Sequence, residues 1–294
     1  MRRGARARRV RRRRPPLPRV TRRRPARRAP TRPPAAAGPA RLAFACLGSS
    51  GAVPSAERDT TALVVRAGGT VCLVDVGGSP VQKLRRLGLD PLELSAVVVT
   101  HTHPDHVYGL PALVQSLMIL GRRHPLPVYC RTEHVPLIGQ LLDLFGLVQP
   151  DGLAVAVTGV EPREGVEVLA TGDLLVTASP NVHGRMPNLA VRVDAGGRSV
   201  VYSSDTRPCA AVAALARDAT VLVHEATFVR PDPTQWHSTA REAGEVARQA
   251  AARRLVLAHI GYPHHRALAT HVAEARATFA GPVAVADELT WYRV

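Results

Sequence analysis

Residues 101–106 read His-Thr-His-Pro-Asp-His and follow directly on the apolar run Ala96-Val97-Val98-Val99-Thr100. Four candidate metal ligands within six residues, delivered at the end of a predicted buried strand, point to metal chemistry. Imidazole nitrogen and carboxylate oxygen suit zinc when no thiolate is offered, and a catalytic site keeps a coordination position open for water. His101 and His103 alternate, so in an extended turn both can face one ion. Asp105 and His106 are adjacent and can reach a second. Packing does not account for so dense a polar group, because buried polar atoms cost free energy unless they are paired or ligated.

The elements that must position these residues follow a recurring pattern. Ala96–Thr100 ends in the histidine cluster, Ser199–Ser204 in Asp205, Thr220–Val223 in His224-Glu225, and Leu255–Ala258 in His259. Each is a β-rich run with a coordinating or acid–base side chain at its C-terminal end. Strand ends of this kind converge on one edge of a sheet, where α/β folds place their sites. His183, in a loop after the strand-like Leu174–Ala178, reads as a further lone ligand. Around these runs the spacing predicts a strand over Leu42–Leu47 and a hairpin of Ala62–Arg66 with Val71–Val76. It predicts a helix over Glu133–Phe145 with Leu137, Ile138, Leu141, Leu142 and Phe145 on one side, and another over Thr239–Ala252. Ala243, Val246, Ala247 and Ala250 form the buried face of the latter, and Thr239 with Glu242 fits a capping box at its start. Alternating strands and helices make the class α/β.

Charge divides the chain in two. Residues 1–40 hold 16 of the 39 basic residues, no acidic one and eight prolines, which leaves 23 basic against 23 acidic residues in 41–294. The formal charge of +16 thus belongs to the tail, and the body is formally neutral. A tail so poor in apolar residues is expected to be disordered. It reads either as a polyanion-binding arm, for RNA or membrane headgroups, or as a solvated extension with no partner, and the second is the plainer reading. Residues 41–294 suit one large domain. No apolar stretch approaches the ~20 residues that span a bilayer, and no secretory h-region follows the arginines. The expected compartment is the cytoplasm. Cys46, Cys72, Cys130 and Cys209 are widely spaced and read as thiols, not as a disulfide framework.

With these residues in place, the chain from about Arg41 onward resembles the metallo-β-lactamase superfamily and, within it, the ribonuclease Z-like branch. The signature His-x-His-x-Asp-His is intact at 101–106. The resemblance implies an αββα sandwich with a site for two zinc ions, or another divalent metal such as manganese, and a homodimer. It implies that His101, His103 and His183 hold one ion, that Asp105, His106 and His259 hold the other, and that Asp205 bridges them. Aspartate at 205 argues against lactam hydrolysis. His224-Glu225-Ala226-Thr227-Phe228 and His237-Ser238-Thr239 are similar to ribonuclease Z motifs, in which the glutamate and the second histidine act together. On that basis Asp105, His237 and Glu225 are the catalytic candidates: Asp105 orienting a water, His237 at the helix start giving a proton to a leaving group, Glu225 fixing the His237 ring. The alternative for Glu225 and His237 is that they only shape the surroundings of the ligands.

Two departures bear on substrate. The resemblance implies a long arm that grips tRNA, inserted before the strand ending in Asp205. Here Leu189–Val193 is followed by only Asp194-Ala195-Gly196-Gly197 before Arg198–Tyr202. The N-terminal substrate loop, Pro54-Ser55-Ala56-Glu57-Arg58-Asp59, is acidic where the branch is basic. The expected activity is therefore two-metal hydrolysis of small or flexible phosphodiesters, RNA among them. Three alternatives remain: a thioester, lactone or aryl sulfate hydrolase, a true tRNA 3′-processing endoribonuclease, and a non-catalytic RNA-binding protein, the last opposed by the complete ligand set.

Overall fold

A computed structural model describes residues 41–148, 152–231, 234 and 236–294. The expectation for the arginine-rich tail, 1–40, lies outside the described residues. The chain builds two sheets of seven strands each. The first takes β1 (Ala43–Gly48), β2 (Ala62–Ala67), β3 (Thr70–Val74), β4 (Leu94–Val99), β5 (Leu126–Arg131) and β6 (Val155–Val160) side by side in chain order. The second does the same with β7 (Val166–Ala170), β8 (Leu175–Pro180), β9 (Leu189–Ala195), β10 (Arg198–Tyr202), β11 (Val221–Glu225), β12 (Leu255–Ala258) and β13 (Val283–Val285). The C-terminal β14 (Tyr292–Arg293) returns to the first sheet and pairs outside β1. In each sheet the hairpin-linked strands pair antiparallel and the later ones pair parallel.

Side-chain parity assembles the layers. Along β4, Ala96 and Val98 face the second sheet and pack with Val191, Val193, Val200 and Val223. Val97 and Val99 face the other way, toward Leu113 and Leu117 of α3 (Leu110–Ile119) and Ile138 of α4 (Val135–Leu144). α1 (Pro80–Arg86) joins that outer layer through Leu84, and the short α2 (Pro104–Val107) carries the end of the histidine motif. On the far side, α5 (Ala210–Leu215), α6 (Ala240–Gln249) and α7 (Leu268–Arg276) cover the second sheet over Val201, Leu222 and Leu257. Strands covered on both faces read as unbroken apolar runs, as 96–99 does. The architecture is the αββα sandwich expected from the sequence.

Several boundaries move, each for a local reason. The predicted Glu133–Phe145 helix is a 3-10 turn, Thr132–His134, followed by α4, because Pro136 in the first turn of α4 has no N–H to continue the earlier helix. Ile138 and Leu142 are buried on α4, whereas Leu137 (44 % exposed) and Phe145 (62 %) fall outside the core. α6 is shorter than Thr239–Ala252. It starts on the predicted box, Glu242 N–H donating to Thr239 Oγ1 at 3.2 Å and Thr239 N–H to Glu242 Oε2 at 2.7 Å, and stops before Ala251, whose φ is +51°. The strand predicted to Val76 ends at Val74, and the strand predicted to stop at Val223 runs on through His224 and Glu225. The hairpin read as a four-residue loop is tighter still. Ala195 pairs with Arg198, leaving Gly196 and Gly197 at φ +55° and +71°, the two left-handed positions of a type I′ turn.

All four cysteines are free, and burial pushes the Cys46 and Cys72 thiols up to about 12 and Cys130 to about 11. Among the described residues no helix is long and apolar enough to cross a membrane.

Candidate metal centre

The strand ends do converge. His101 follows β4, His183 follows β8, Asp205 follows β10 and His259 follows β12, all on one edge of the sandwich. Holding them there requires unusual backbone. Asp75, Ser204 and His259 adopt φ of +60°, +52° and +51°, a region costly for residues with a Cβ and found where a site over-determines the chain.

Two groups of donors result, each with its ligand atoms within 4.8 Å of one another. In the first, His101 Nε2 and His183 Nε2 each lie 3.0 Å from His103 Nδ1 and 3.8 Å from Asp205 Oδ2. In the second, His106 Nε2 lies 3.5 Å from Asp105 Oδ2 and 3.3 Å from Asp205 Oδ1, and His259 Nε2 lies 3.4 Å from Asp105 Oδ2 and 3.2 Å from Asp205 Oδ2. Asp205 belongs to both groups. Two donors bound tetrahedrally to one zinc ion stand roughly 3.3 Å apart, so these spacings fit divalent ions.

The hydrogen bonds agree with that fit. His106 Nδ1 donates to Asp75 Oδ2 at 2.8 Å, His259 Nδ1 to Thr227 Oγ1 at 2.9 Å, and His183 Nδ1 to the Trp236 carbonyl at 3.1 Å. Each bond fixes the tautomer that turns an Nε2 lone pair inward. His106 Nε2, His259 Nε2 and Asp205 Oδ1 are buried with no hydrogen-bond partner, as ligand atoms awaiting a cation would be. Burial holds the pKa values of His101, His103 and His183 below that of a free imidazole, so the rings are neutral and able to ligate. Burial would do the same to His106, but Asp205 and Asp75 on either side outweigh it and push that ring well up. Burial would raise the Asp205 carboxyl, yet the charges of His259 and His106 hold it well below the usual carboxylate range.

A third group joins Glu225, His237 and His259. Glu225 Oε1 accepts from Thr206 N–H at 2.6 Å and from His237 Nδ1 at 3.0 Å, while Oε2 accepts from Thr227 N–H at 3.3 Å and Oγ1 at 2.6 Å. These hydrogen bonds engage both carboxylate oxygens and set Glu225 against the His237 ring. The His237 side chain keeps 19 % of its surface exposed beside the buried glutamate, as a group meeting a substrate must. His224, its neighbour on β11, points the other way because strand side chains alternate. Its Nδ1 donates to the Glu225 carbonyl, and it takes no part in the site.

Sequence reasoning missed Asp75. It obeys the same rule, a carboxylate at the end of an apolar strand, but lay hidden inside the predicted run Val71–Val76. It accepts from Thr100 N–H (2.8 Å) and Oγ1 (2.9 Å) as well as from His106, and so ties the strand end to the ligand. Asp75→Asn is expected to weaken metal affinity by about 10–100-fold, the usual worth of such a support, measured by competition with a chelator. Unchanged affinity would mean that Asp75 serves folding alone. The acidic loop 54–59 is tied to its surroundings. Arg58 Nη1 donates to Ser49 Oγ and the Ala286 carbonyl, Asp59 pairs with Lys83 at 2.8 Å, and Glu288 Oε1 accepts from Ser49 and Asp59. The charges of Arg58 and Asp59 anchor the loop.

Comparison with known proteins places this geometry. A family described as "Beta-lactamase superfamily domain" matches residues 71–260. Ribonuclease Z of Methanosarcina mazei is 31% identical over 83% of this chain and 95% of its own, and ribonuclease Z of Salinibacter ruber is 33% identical over 84% and 93%. Among solved structures, the metallo-beta-lactamase fold protein YhfI from Bacillus subtilis superposes with a TM-score of 0.73 at 24% identity, covering 86% of this chain and all of its own. The short form of human tRNase Z gives 0.68 at 22% identity, over 85% and 98%.

Proposed function

We propose a specific activity from the premise that this chain belongs to the β-lactamase superfamily and, within it, to the ribonuclease Z-like metal-dependent hydrolases: it is a phosphodiesterase that uses two zinc ions. His101, His103 and His183 would hold one ion and Asp105, His106 and His259 the other, with Asp205 common to both groups. The supporting observation is the pair of donor groups sharing Asp205, with the Glu225–His237 pair beside them. Bound there, two divalent ions would supply a water acidic enough to react near neutral pH and positive charge for the phosphoryl oxygens.

The chain's own residues do the rest. Asp105, through a carboxylate 7 % exposed at the mouth, accepts a hydrogen bond from the attacking water and aims it. His237 donates a proton to the departing oxygen from the ring atom opposite Nδ1, because Nδ1 faces Glu225. Glu225 holds that ring and stabilises its charged form. Thr227 couples the two groups, touching Glu225, His237 and His259 with one hydroxyl at 2.6, 3.3 and 2.9 Å.

Substrate follows from the β9–β10 turn. A two-residue tip leaves no folded arm there to hold a tRNA body at a distance, and residues 41–294 carry no net formal charge. RNA helices are recognised through shape and backbone contacts, and a remote grip is what would hold one phosphodiester in register. We therefore assign small or flexible phosphodiesters as substrates, including single-stranded RNA. A homodimer would pair the apolar surface beside α4, where Tyr108, Leu137, Leu141 and Leu144 line a cleft of about 430 Å³.

The test compares zinc-loaded protein on bis(p-nitrophenyl) phosphate, p-nitrophenyl sulfate, a lactone and a thioester, and adds a single-turnover assay on a precursor tRNA with a mapped 3′ end. Turnover confined to the phosphodiester, with slow or scattered tRNA cleavage, is the expected result. A chain starting at residue 41 is expected to behave alike. Efficient cleavage at the single mature boundary by both forms would instead make the chain a tRNA 3′-processing endoribonuclease.

A further inference from the structure

His134 is buried, 5 % exposed, and belongs to none of the three donor groups. It ends the 3-10 turn between β5 and α4, on the outer layer of the first sheet. A polar ring taken out of water costs free energy unless its nitrogens find partners. Both nitrogens of His134 do, and both partners lie in segments that carry candidate ligands. Nε2 donates to the Pro187 carbonyl at 2.7 Å, and Nδ1 lies 3.2 Å from Thr102 Oγ1. Thr102 separates His101 from His103, and Pro187 belongs to 181–188, the connection from β8 to β9 that holds His183.

That connection is closed on itself, so a displacement of Pro187 reaches the ligand. Met186 N–H donates to the His183 carbonyl at 2.9 Å and Asn181 N–H to the Asn188 carbonyl at 3.3 Å. Asn188 Nδ2 in turn donates to the Asp205 carbonyl at 2.8 Å. Met186 Sδ lies 3.9 Å from Thr102 Oγ1, beside the His134 contact. The base of the arrangement is rigid: Ile138 and Leu142, one and two turns along from His134, are packed into the core. The second donor group is supported from other directions, His106 by Asp75 and His259 by Thr227.

We propose that His134 is a positioning residue that clamps the His101–His103 turn to the His183 connection and so sets the metal affinity of the first donor group alone. The inference rests on the two-ion reading above. His101 and His103 follow a strand of the first sheet and His183 a strand of the second, so one ion draws its ligands from two layers. Such ligands must be held to within about 0.5 Å of their working positions. His134 supplies that register from outside the group. Without the ring, the Pro187 carbonyl and the Thr102 hydroxyl lose a partner, and the metal itself has to bring the two segments together. Loss of a support of this kind costs about 10–100-fold in metal affinity.

The test measures zinc affinity by chelator competition in the full chain, with one donor group impaired at a time. His106→Ala leaves the first group intact and His103→Ala the second, so the tighter ion in each reports the intact group. Adding His134→Ala is expected to weaken that ion about 10–100-fold in the His106→Ala chain and to leave it within about twofold in the His103→Ala chain. His134→Gln, whose amide can still donate to the Pro187 carbonyl, should restore most of the loss. Thr102→Val removes one contact without opening a cavity, and should show the same selectivity at smaller size even where His134→Ala fails to fold. An equal loss in both backgrounds, or none in the first, overturns the clamp while leaving the two-ion reading in place. A wild-type chain that binds no divalent ion overturns that reading and the clamp with it.

Discussion

Asp205→Ala is expected to release both ions and to take hydrolysis below detection. Its two carboxylate oxygens face all four of His101, His183, His106 and His259 at 3.2–3.8 Å, so neither donor group survives its loss. His106→Ala should instead empty one group and spare the other. Stability should follow occupancy. At a free metal concentration 1,000 times the dissociation constant, each ion contributes about 4 kcal/mol, so losing one lowers Tm by about 10 °C in a domain of this size. Metal content by mass spectrometry and scanning calorimetry with and without chelator check both statements. Two ions retained by Asp205→Ala would refute the bridging role.

His237→Ala should behave in the opposite way, keeping its metals and its melting temperature while losing about 10²–10⁴-fold in rate on a phosphodiester with an alkoxide leaving group. The reason lies in the third group of donors. Glu225 is saturated by hydrogen bonds and oriented at His237, an arrangement suited to proton transfer and not to ligation. On a p-nitrophenyl ester the loss should shrink, since that leaving group departs without help. Rates measured across a series of leaving groups give the dependence directly. An equal loss on good and poor leaving groups would reduce His237 to a structural residue.

Much of this arrangement was legible in the sequence, because metal ligands obey spacing rules. The run His101–His106 and the strand ends at Asp205, Glu225 and His259 announced themselves as polar residues terminating apolar runs, and the structure brings them together. What supports them was harder to see. Asp75 and Thr227 act through single hydrogen bonds to ring nitrogens, and one hydrogen bond imposes no periodicity. Asp75 was masked further by valines on both sides, which read as continued strand until a left-handed φ of +60° ended it. His224 shows why only one of the two polar residues ending that strand belongs to the site: a strand can aim only alternate side chains at one edge, and His224 bonds the Glu225 carbonyl instead. The exposed flank of α4 misled for a similar reason. Helical spacing identifies an apolar stripe, but not how much of its width the core will cover, and here Leu137 and Phe145 were left outside.

The candidate ligands are divided between the sheets in a way that follows the order of the chain. His101, His103, Asp105 and His106 come after a strand of the first sheet, and His183, Asp205 and His259 after strands of the second. Residues 161–165, all exposed, are the linker between β6 and β7. A cut there would yield one piece carrying four of the seven donors and another carrying three together with β14, the strand that completes the first piece's sheet. Neither fragment owns a full set of donors for either ion. If these donors hold divalent metal, reassembly of the halves is expected to depend on that metal, and the chain could then be split into a two-part sensor whose signal is its own activity.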